Sequence, residues 1–359
     1  MVNLMWKFKK KKQRSSLGID IGSKSIKAVE LKKQKDRVIL KNYGGLKLSP
    51  ERTESFQYFD KRTLLPFSKN VSLAIKAILE EAKIETREVI FSLPDFATFF
   101  TSFSLPKMTP EELKDAVQFE AKKHIPIPLN EVVLDWELIG DTVNEKEGEN
   151  KVLVMAINKS LIAEYKKIAK ECGLKLLSLE AEVMGLKRAV VSDSKENVCL
   201  VEIGSQSTTI SIVSKGFLIT SVSFDVAQKD YTYSISEALN IGLAETERIK
   251  MNIGLKSKNK KIEEAVSPIL KIITGKIKQV INIFEIKEEK ITKVILLGGA
   301  VNMLGLLEFF KENLNEFNVE KSNSFENIFY EPELKPLIPE ISATFSIALG
   351  EALKRFKNQ

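Results

Sequence analysis

Alternating apolar and polar residues near the start of the chain predict a series of short β-strands. Leu17–Leu31 is an apolar strand that stops at Gly22-Ser23 and resumes as an alternating strand, and Arg37–Tyr43 supplies a third. The gaps between these strands are short, which favours an antiparallel meander. We therefore expect the chain to open with three neighbouring strands.

Farther along the chain, apolar residues recur at intervals of three and four, which is the spacing of one helix face. This spacing predicts helices from Ala74 to Ala82, after Thr109-Pro110, from Leu161 to Cys172, from Ser234 to Met251 and from Ser267-Pro268 onward. Apolar runs between them predict strands at Glu88–Leu93, Glu131–Ile139, Lys151–Ile157, Lys175–Leu179 and Lys293–Leu297. The alternation of strands with helices indicates an α/β protein.

The interrupted strand recurs in the second half of the chain. Asp20, Gly22, Ser23 and Ser25 align with Glu202, Gly204, Ser205 and Ser207. Successive backbone N–H groups in a tight turn bind anions, and glycine lets the backbone approach a phosphate closely. One such turn alone is equally typical of an ordinary hairpin. Two of them, one in each half, predict two lobes that close on one nucleotide.

Four motifs resemble those of the actin-like ATPase superfamily. They are the two turns at Asp20–Lys27 and Glu202–Thr208, the glycine-rich segment Gly298–Ala300, and the closing helix at Ala348–Leu353. The resemblance implies an α/β protein of the actin-like ATPase fold. Its two duplicated lobes would surround an interlobe nucleotide cleft, with a small α+β subdomain inserted in the first lobe.

The same resemblance implies a division of the chain. We expect a basic tail at residues 1–16, a first lobe at 17–195 with the inserted subdomain at about 88–157, and a second lobe at 196–359 with a helical subdomain at about 231–287. The boundary between the lobes is expected near Ser192–Glu196.

Within the superfamily the chain is most similar to the PilM family of type IV pilus assembly proteins, which is related to FtsA. The resemblance is carried by Gly18–Leu31, Gln118–Pro128, Val133–Trp136, Ala244–Lys250 and Leu297–Ala300. The Ile-Pro-Ile-Pro segment at 125–128 is the part specific to this family. The resemblance implies a cytoplasmic protein at the inner membrane face that binds ATP and Mg²⁺.

The family's binding residues can be carried over by position. Asp20 would hold a hydrated magnesium ion, and Gly22, Ser23, Lys24, Ser25 and Lys27 would bind the phosphates. From the second lobe, Gly204, Ser205 and Ser207 would grip the phosphates, and Glu202 would belong to the same cofactor site. Glu247 and Lys250 would lie beside ribose and base, and Gly298, Gly299 and Ala300 would receive the adenine. Alternatively, Glu247 and Lys250 form a solvated helix pair, and Gly298 merely ends a strand.

Two departures from the family pattern fall in the second lobe. Glu202 stands where the family usually has aspartate, and Asp225-Val226-Ala227 replaces a pair of glycines. Phosphoryl transfer depends on positioning, so these changes predict nucleotide binding with weak or absent hydrolysis. No residue is assigned as a catalytic group. Glu180 or Glu182 is a candidate base near the meeting of the lobes, and the competing interpretation is a pair of surface helix residues.

The net charge of +7 is concentrated at the start of the chain. Residues 1–16 contain no acid and carry the cations Lys7, Lys9, Lys10, Lys11, Lys12 and Arg14. The rest of the chain is nearly neutral, which argues against a nucleic-acid-binding face. Together with Trp6 and Phe8, the basic tail predicts contact with anionic lipid. The alternative is a disordered, solubilising tail.

The remaining features concern partners and compartment. The resemblance implies that a PilN-like inner-membrane protein docks on the inserted subdomain, around 94–106 and 119–136, and homo-oligomers are also considered. Cys172 and Cys199 are expected to be buried thiols, and one histidine, His124, leaves no zinc set. Without an apolar run of ~20 residues or a signal peptide, we expect a cytoplasmic protein. A nucleotide-free scaffold and a small-molecule kinase are the alternative functions.

Overall fold

The strands of this computed structural model divide into three sheets. The structure describes residues 14–48, 57–60, 63–139, 149–191, 196–256, 259–285 and 290–357. The strands are β1 (Arg14–Ile21), β2 (Ser25–Gln34), β3 (Arg37–Lys47), β4 (Glu88–Leu93), β5 (Thr98–Pro106), β6 (Val132–Leu138), β7 (Glu149–Asn158), β8 (Lys175–Ala181), β9 (Val198–Ile203), β10 (Thr208–Ser214), β11 (Phe217–Phe224), β12 (Lys293–Leu297) and β13 (Asn318–Lys321).

Helices cover both main sheets. The α-helices are α1 (Ser68–Glu81), α2 (Pro110–His124), α3 (Lys159–Glu171), α4 (Glu182–Val190), α5 (Gln228–Leu239), α6 (Leu243–Asn252), α7 (Lys260–Glu285), α8 (Leu306–Asn313), α9 (Ile338–Thr344) and α10 (Ser346–Lys357). Short 3-10 helices occur at Asp95–Ala97, Gly254–Lys256, Gly299–Asn302 and Pro332–Leu334.

The two main sheets have the same topology. The first has the order β3-β2-β1-β4-β8, and the second has the order β11-β10-β9-β12-β13. In the first sheet, β1, β2 and β3 pair antiparallel, and β4 and β8 run parallel to β1. In the second sheet, β9, β10 and β11 pair antiparallel, and β12 and β13 run parallel to β9. The predicted meander at the start of the chain is confirmed, and the duplicated turn motif corresponds to a duplicated sheet.

The third sheet, β5-β7-β6, lies between β4 and α3 along the chain. Helix α2 packs against it and begins with a hydroxyl cap, because the Thr109 hydroxyl accepts a hydrogen bond from the Glu112 N–H and the Glu112 carboxylate accepts one from the Thr109 N–H. The strand β4, which we included in the predicted insertion, is paired with β1 and β8 in the first sheet. The division into lobes and subdomain remains a prediction.

An apolar cluster joins the third sheet to the second main sheet. Leu153 and Met155 of β7 pack with Val213 of β10 and Leu218 of β11, and Phe100 of β5 borders the cluster. The third sheet is thus connected covalently to the first main sheet and packed against the second.

Two helix predictions were wrong in their bounds. The helix predicted from Ser267-Pro268 begins at Lys260, and Pro268 lies inside it. Burial of Ile262 and Val266 upstream, each worth about 1.5–3 kcal/mol, outweighs the ~3 kcal/mol cost of an internal proline. The single helix predicted from Ser234 to Met251 is two helices, α5 and α6, because Asn240 adopts the left-handed conformation and ends α5.

Two helices connect the main sheets. Helix α4 follows β8 and leads to β9, and α10 returns from the second half of the chain to pack on β1, β2 and α4. The backbones of α4 and α10 touch: a Cβ atom on Gly350 would lie 1.9 Å from the Gly185 carbonyl oxygen. Gly18 of β1 is equally close, since a Cβ there would lie 2.1 Å from the Ala348 oxygen.

The remaining predictions concern the cysteines, membrane spans, the basic tail and the lobe boundary. Both cysteines are buried and free. No helix in the described ranges is long and apolar enough to cross a membrane. Most of the predicted basic tail, residues 1–13, and most of the predicted lobe boundary, residues 192–195, lie outside the described residues.

Candidate functional site

A cleft of about 390 Å³ lies between the two main sheets. The β1–β2 turn and the end of β3 line it from one side, and the β9–β10 turn, α5 and α6 line it from the other. A volume of this size is within the range of ligand-binding cavities in proteins. The cleft is therefore the candidate functional site.

The first turn is held by the ends of β1 and β2. The Gly22 N–H donates to the Ser25 carbonyl oxygen at 2.9 Å, which closes a tight turn around Ser23 and Lys24. Asp20 and Lys27 stand opposite each other in the ladder, and the Lys27 ammonium donates to the Asp20 carboxylate at 2.9 Å. The sequence alternation of β1 and β2 thus places one anion and one cation beside the turn.

The second turn has the same construction. The Gly204 N–H donates to the Ser207 carbonyl oxygen at 3.0 Å. The carbonyl oxygens of Gly204 and Ser205 accept hydrogen bonds from the first N–H groups of α5, at 3.1 and 3.0 Å. These bonds fix the turn to the first residues of α5, Gln228 and Lys229.

The two turns meet across the cleft. The Ser23 and Ser205 hydroxyl oxygens are 2.6 Å apart and share a hydrogen bond. The two copies of the duplicated motif therefore face each other across a single site.

Acidic side chains are concentrated at this end of the cleft. Burial raises the pKa of Glu202 to about 8, an effect that Lys27 partly offsets and that Asp20 and Asp95 reinforce. Burial, with repulsion from Asp20, Asp95 and Glu202, raises the pKa of Glu182 well above its ordinary value. Burial likewise raises the pKa of Asp95 to about 7, despite the hydrogen bond from the Val183 N–H.

Lys27 is the cation that faces this group of acids. Burial alone would lower its pKa, but attraction and a hydrogen bond from Asp20, with smaller contributions from Glu202 and Glu182, raise the pKa overall. Lys27 is therefore fully charged at neutral pH, and its ammonium attracts the acidic side chains at this end of the cleft.

The opposite end of the cleft contains Glu247 of α6. Its carboxylate accepts from Lys250 at 2.6 Å and from Lys47, across the cleft on β3, at 3.4 Å. Lys250 itself is 1 % exposed and also donates to the Thr232 hydroxyl at 2.6 Å. Its ammonium lies over the Tyr231 ring, and burial lowers the pKa of Lys250 to about 8. The interpretation of Glu247 and Lys250 as a solvated pair is therefore wrong.

The glycine-rich segment after β12 contributes in part. Gly299 lines the cleft, whereas Ala300 is 1 % exposed and belongs to the core. Gly298 has φ = 88°, and a Cβ atom there would lie 2.7 Å from the Glu202 carboxylate. Gly298 thus gives room to the longer acid at position 202.

The sequence-predicted residues divide into two groups. Those that line the cleft are Asp20, Gly22, Ser23, Lys24, Ser25, Lys27, Glu202, Gly204, Ser205, Ser207, Glu247 and Gly299. Lys250, Gly298 and Ala300 lie behind its wall. Of the two candidate bases, Glu182 lines the cleft, whereas Glu180 lies outside it and forms a two-pronged ion pair with Arg188.

Several lining residues had no sequence signal of their own. Phe96, Met251, Asn302 and Phe345 reach the cleft from separate parts of the chain. Lys47 is the last residue of β3 and has no motif around it. Its ion pair with Glu247 of α6 forms only because the fold brings β3 and α6 together, which the sequence alone does not indicate. Of these residues, Phe96 lies in the segment 94–106, where the partner is expected to dock.

A second cavity, of about 320 Å³, lies where β5 and the start of α3 meet the segment 63–65. We call it the apolar groove. It is lined by Thr63, Leu64, Leu65, Phe96, Ala97, Thr98, Phe99, Ile127, Asn158, Ser160 and Leu161. Phe96 borders both cavities, and its ring packs edge-on against Phe59 at 5.7 Å.

The cleft does not form a direct metal cage. Among the described residues, no group of three or more histidine, cysteine, aspartate or glutamate side chains is arranged to hold a metal ion. Asp20 and Glu202 fit a cation that keeps most of its water, which is the usual manner of magnesium.

Comparison with known sequences decides the family. The sequence profile of the type IV pilus assembly protein PilM matches residues 18–356. The chain belongs to the PilM family. The predicted family and the predicted actin-like ATPase fold are thereby confirmed.

Solved structures and curated sequences agree with this fold. The chain is similar to a chain of a PilM–PilN type IV pilus biogenesis complex, with a TM-score of 0.81, 24% identity and coverage of 94% of this chain and 98% of that one. It is also similar to ADP-bound MreB5 of Spiroplasma citri, with a TM-score of 0.54, 13% identity and coverage of 96% of each chain. FtsA of Staphylococcus epidermidis is 25% identical over 223 residues, 56% of this chain. The match spans 47% of FtsA, about half its length.

Proposed function

We propose that this PilM-family chain binds ATP with Mg²⁺ in the cleft and serves as a cytoplasmic platform for type IV pilus assembly. The observation that carries the nucleotide part is the meeting of the two turns, with the Ser23 and Ser205 hydroxyls 2.6 Å apart. Backbone turns of this type bind phosphate through their N–H groups. MreB5, which shares the fold, has been solved with ADP.

The charge of the cleft supports binding of a magnesium complex rather than of free ATP. Asp20, Glu182 and Glu202 face the same space as the ammonium of Lys27. In their ionised forms these acids repel a polyphosphate, whereas a bound Mg²⁺ would favour the ionised forms and neutralise charge on both the carboxylates and the phosphates. In this proposal, Asp20 and Glu202 hold the hydrated ion, Lys27 faces the phosphates, and Gly299 and Glu247 border the nucleoside.

The same geometry supports slow hydrolysis. Glu182 is the candidate base that reaches the cleft, and its pKa is raised well above the ordinary value, first by burial and then by the neighbouring acids. A carboxyl group that keeps its proton does not accept one from water. We therefore propose that ATP acts mainly as a clamp between the lobes.

A nucleotide-free scaffold is the second candidate function. It is favoured by the same hydrogen bond between Ser23 and Ser205, because a phosphate seated between the turns has to replace this bond. Binding measurements separate the two candidates.

Calorimetric titration with Mg·ATP tests the nucleotide proposal. We expect saturable binding to the unmodified chain and at least tenfold weaker binding to Lys27→Met, which leaves Asp20 without its cation. The matched control is Lys175→Met, because Lys175 forms a comparable ion pair with Glu88 at 2.8 Å away from the cleft. Absence of heat with the unmodified chain, confirmed by equilibrium dialysis, refutes ATP binding and favours the scaffold.

We further propose that the apolar groove holds the cytoplasmic segment of a PilN-like inner-membrane protein. The similar solved chain belongs to a PilM–PilN complex. In this chain the groove combines aliphatic and aromatic walls with the start of β5, features that suit an extended apolar peptide. Docking there would hold the protein at the inner membrane face.

A binding assay with a peptide of the PilN-like partner tests this placement. Phe99→Ala removes a wall of the groove and is expected to weaken binding at least tenfold. Phe119→Ala is the control, because Phe119 is 65% exposed on α2 and does not line the groove. If both variants lose affinity equally, or if only Phe119→Ala loses affinity, the placement in the groove is wrong and the partner binds the surface of α2.

The position of Phe96 supports communication between cleft and groove. The Asp95 N–H donates to the Glu182 carboxylate at 3.1 Å, so the segment that carries Phe96 is bonded to the cleft wall. We propose that filling the cleft shifts this segment and changes the affinity of the groove. Measuring peptide affinity with and without Mg·ATP tests this, and identical affinities contradict it.

A further inference from the structure

The crossing of α4 and α10 is the place where the connections between the main sheets touch. Backbone contact between Gly185 and Gly350 leaves no space for a side chain at either of these two positions. Arg188 of α4 reinforces the contact by donating to the Gly350 carbonyl oxygen at 2.8 Å. If one lobe moves relative to the other, the packing of α4 against α10 therefore has to change.

Glu351 of α10 lies inside the crossing. It is 0% exposed, and no donor in the described part of the chain reaches either of its carboxyl oxygens. A methyl group on Gly185 would lie 2.5 Å from Oε1, so the carboxyl group is enclosed by the backbone of α4. Glu351 is not part of the cleft, and the proposed nucleotide chemistry does not use it.

The cations near Glu351 are already bound to another acid. Arg188 donates to both carboxylate oxygens of Glu180, each at 2.7 Å. Lys354 donates to the Ser178 hydroxyl at 2.9 Å and lies 3.2 Å from the Glu180 carboxylate. Glu180 thus has two cations as partners, while Glu351 receives none of their hydrogen bonds.

A buried carboxylate without donors is costly, and such a group takes up a proton instead. Once protonated, Glu351 has one O–H to donate, and the Glu180 side chain lies within hydrogen-bonding reach of it. Burial, followed by repulsion from Glu180, raises the pKa of Glu351 well above its ordinary value of 4.5, although Arg188 and Lys354 oppose this.

We propose that Glu351 is a neutral acid that donates its proton to the Glu180 carboxylate, so that one shared proton locks the α4–α10 crossing. Ionisation of Glu351 would place two carboxylates side by side in an enclosed space and loosen the connection between the lobes. The device would make interlobe stiffness sensitive to pH.

Charged groups on the elements packed against α10 have partners of their own. On α4, Lys187 lies 3.8 Å from the Glu137 carboxyl group, and Glu182 accepts a hydrogen bond from the Asp95 N–H at 3.1 Å. On β1 and β2, Asp20 and Lys27 pair with each other. Glu30 of β2 accepts from Asn42 and Thr86. At the other end of α10, Glu88 of β4 pairs with Arg355 and Lys175.

The sign of the pH effect follows from proton linkage. A raised folded-state pKa means that the folded chain binds a proton that the unfolded chain has released above about pH 4.5. The stabilisation is therefore complete at acidic pH and is lost as the pH rises toward the folded-state pKa. In that window the unfolding equilibrium constant of the unmodified chain increases up to about tenfold per pH unit from this group alone.

Glu351→Gln isolates the effect, because an amide keeps the shape and the donor but does not titrate. Urea unfolding of the full chain between about pH 5.5 and 8 is expected to give a ratio of unfolding constants, unmodified over Glu351→Gln, that grows with pH up to about tenfold per unit. Glu88→Gln is the control: a lowered pKa means that Glu88 is ionised throughout this range, so its ratio stays constant. A constant ratio for Glu351→Gln as well overturns the proposal.

Infrared spectroscopy supplies a readout that packing alone does not affect. The unmodified chain at pH 7 should show the C=O stretching band of a protonated carboxyl group, and the component due to Glu351 should be absent from Glu351→Gln. If the two spectra coincide in that region, Glu351 is ionised and the proposal fails. Amide hydrogen exchange at Gly185 and Gly350 should accelerate with pH beyond its intrinsic rate in the unmodified chain but not in Glu351→Gln, and equal behaviour contradicts the lock.

Discussion

Substitution of Gly350 by alanine probes the contact between the two connecting helices. A Cβ atom at this position would lie 1.9 Å from the Gly185 carbonyl oxygen and 2.4 Å from its carbonyl carbon. Real Cβ atoms essentially never approach closer than 3.0 Å, so α4 and α10 have to separate by about 1 Å. Because the obstacle is backbone, rotation of a side chain cannot relieve it.

The magnitude follows from two opposing effects. Alanine gains about 1 kcal/mol over glycine in a helix interior. Forcing an extra methyl group into a packed interior costs about 3 kcal/mol at the upper end of the usual range, and the rigid obstacle at Gly185 places this site there. The expected net destabilisation is about 2 kcal/mol, or about 30-fold in the unfolding equilibrium constant.

Urea unfolding followed by circular dichroism measures the change, and Gly275→Ala is the matched control. Gly275 lies inside α7, and a Cβ atom there would meet nothing within 4 Å. The control should therefore gain about 1 kcal/mol from helix propensity alone. If Gly350→Ala is as stable as Gly275→Ala, the helices are not in backbone contact and the reasoning fails.

Three further outcomes are expected. Thr109→Ala removes the hydroxyl that caps α2 and should cost about 1 kcal/mol in urea unfolding, whereas Thr109→Ser should cost much less. Glu202→Gln should flatten the fall in stability between about pH 5 and 8, because the folded-state pKa of about 8 makes the unmodified chain lose stability as the pH rises; an unchanged slope contradicts the raised pKa. Cys199 is 0% exposed and burial raises its pKa, so a thiol reagent at pH 8 should label it only after unfolding; rapid labelling of the native chain would show that β9 opens.

Local features of the site were accessible to sequence reasoning. The strand–turn–strand motif at Gly22 and its copy at Gly204 depend on alternation and glycine position, which neighbouring residues determine. The cap of α2 at Thr109 is local in the same sense. The repetition of the motif also implied the repeated sheet, because identical local patterns direct identical pairing.

Features that depend on distant parts of the chain were not accessible. Lys250 was expected at the ribose, yet it lies behind the cleft wall because Thr232 and Tyr231 of α5 receive its ammonium. The raised pKa of Glu182 likewise depends on its burial and on acids from three other segments. The start of α7 was missed for a different reason. Proline is a strong signal for a helix start, so the helix was predicted to begin at Pro268 although the apolar spacing continues upstream to Ile262 and Val266.

The attachment of the third sheet has a mechanical consequence. Its first and last strands leave the first main sheet side by side, since Thr98 of β5 pairs with Ile157 of β7, while Leu153 and Met155 rest on Leu218 of the second. The third sheet is thus joined to the first main sheet by two paired strands and rests on the second through apolar side chains. If the two main sheets rotate relative to each other, either the paired ends of β5 and β7 twist or the apolar contact slides. A change in the angle between the main sheets would therefore change the orientation of the third sheet.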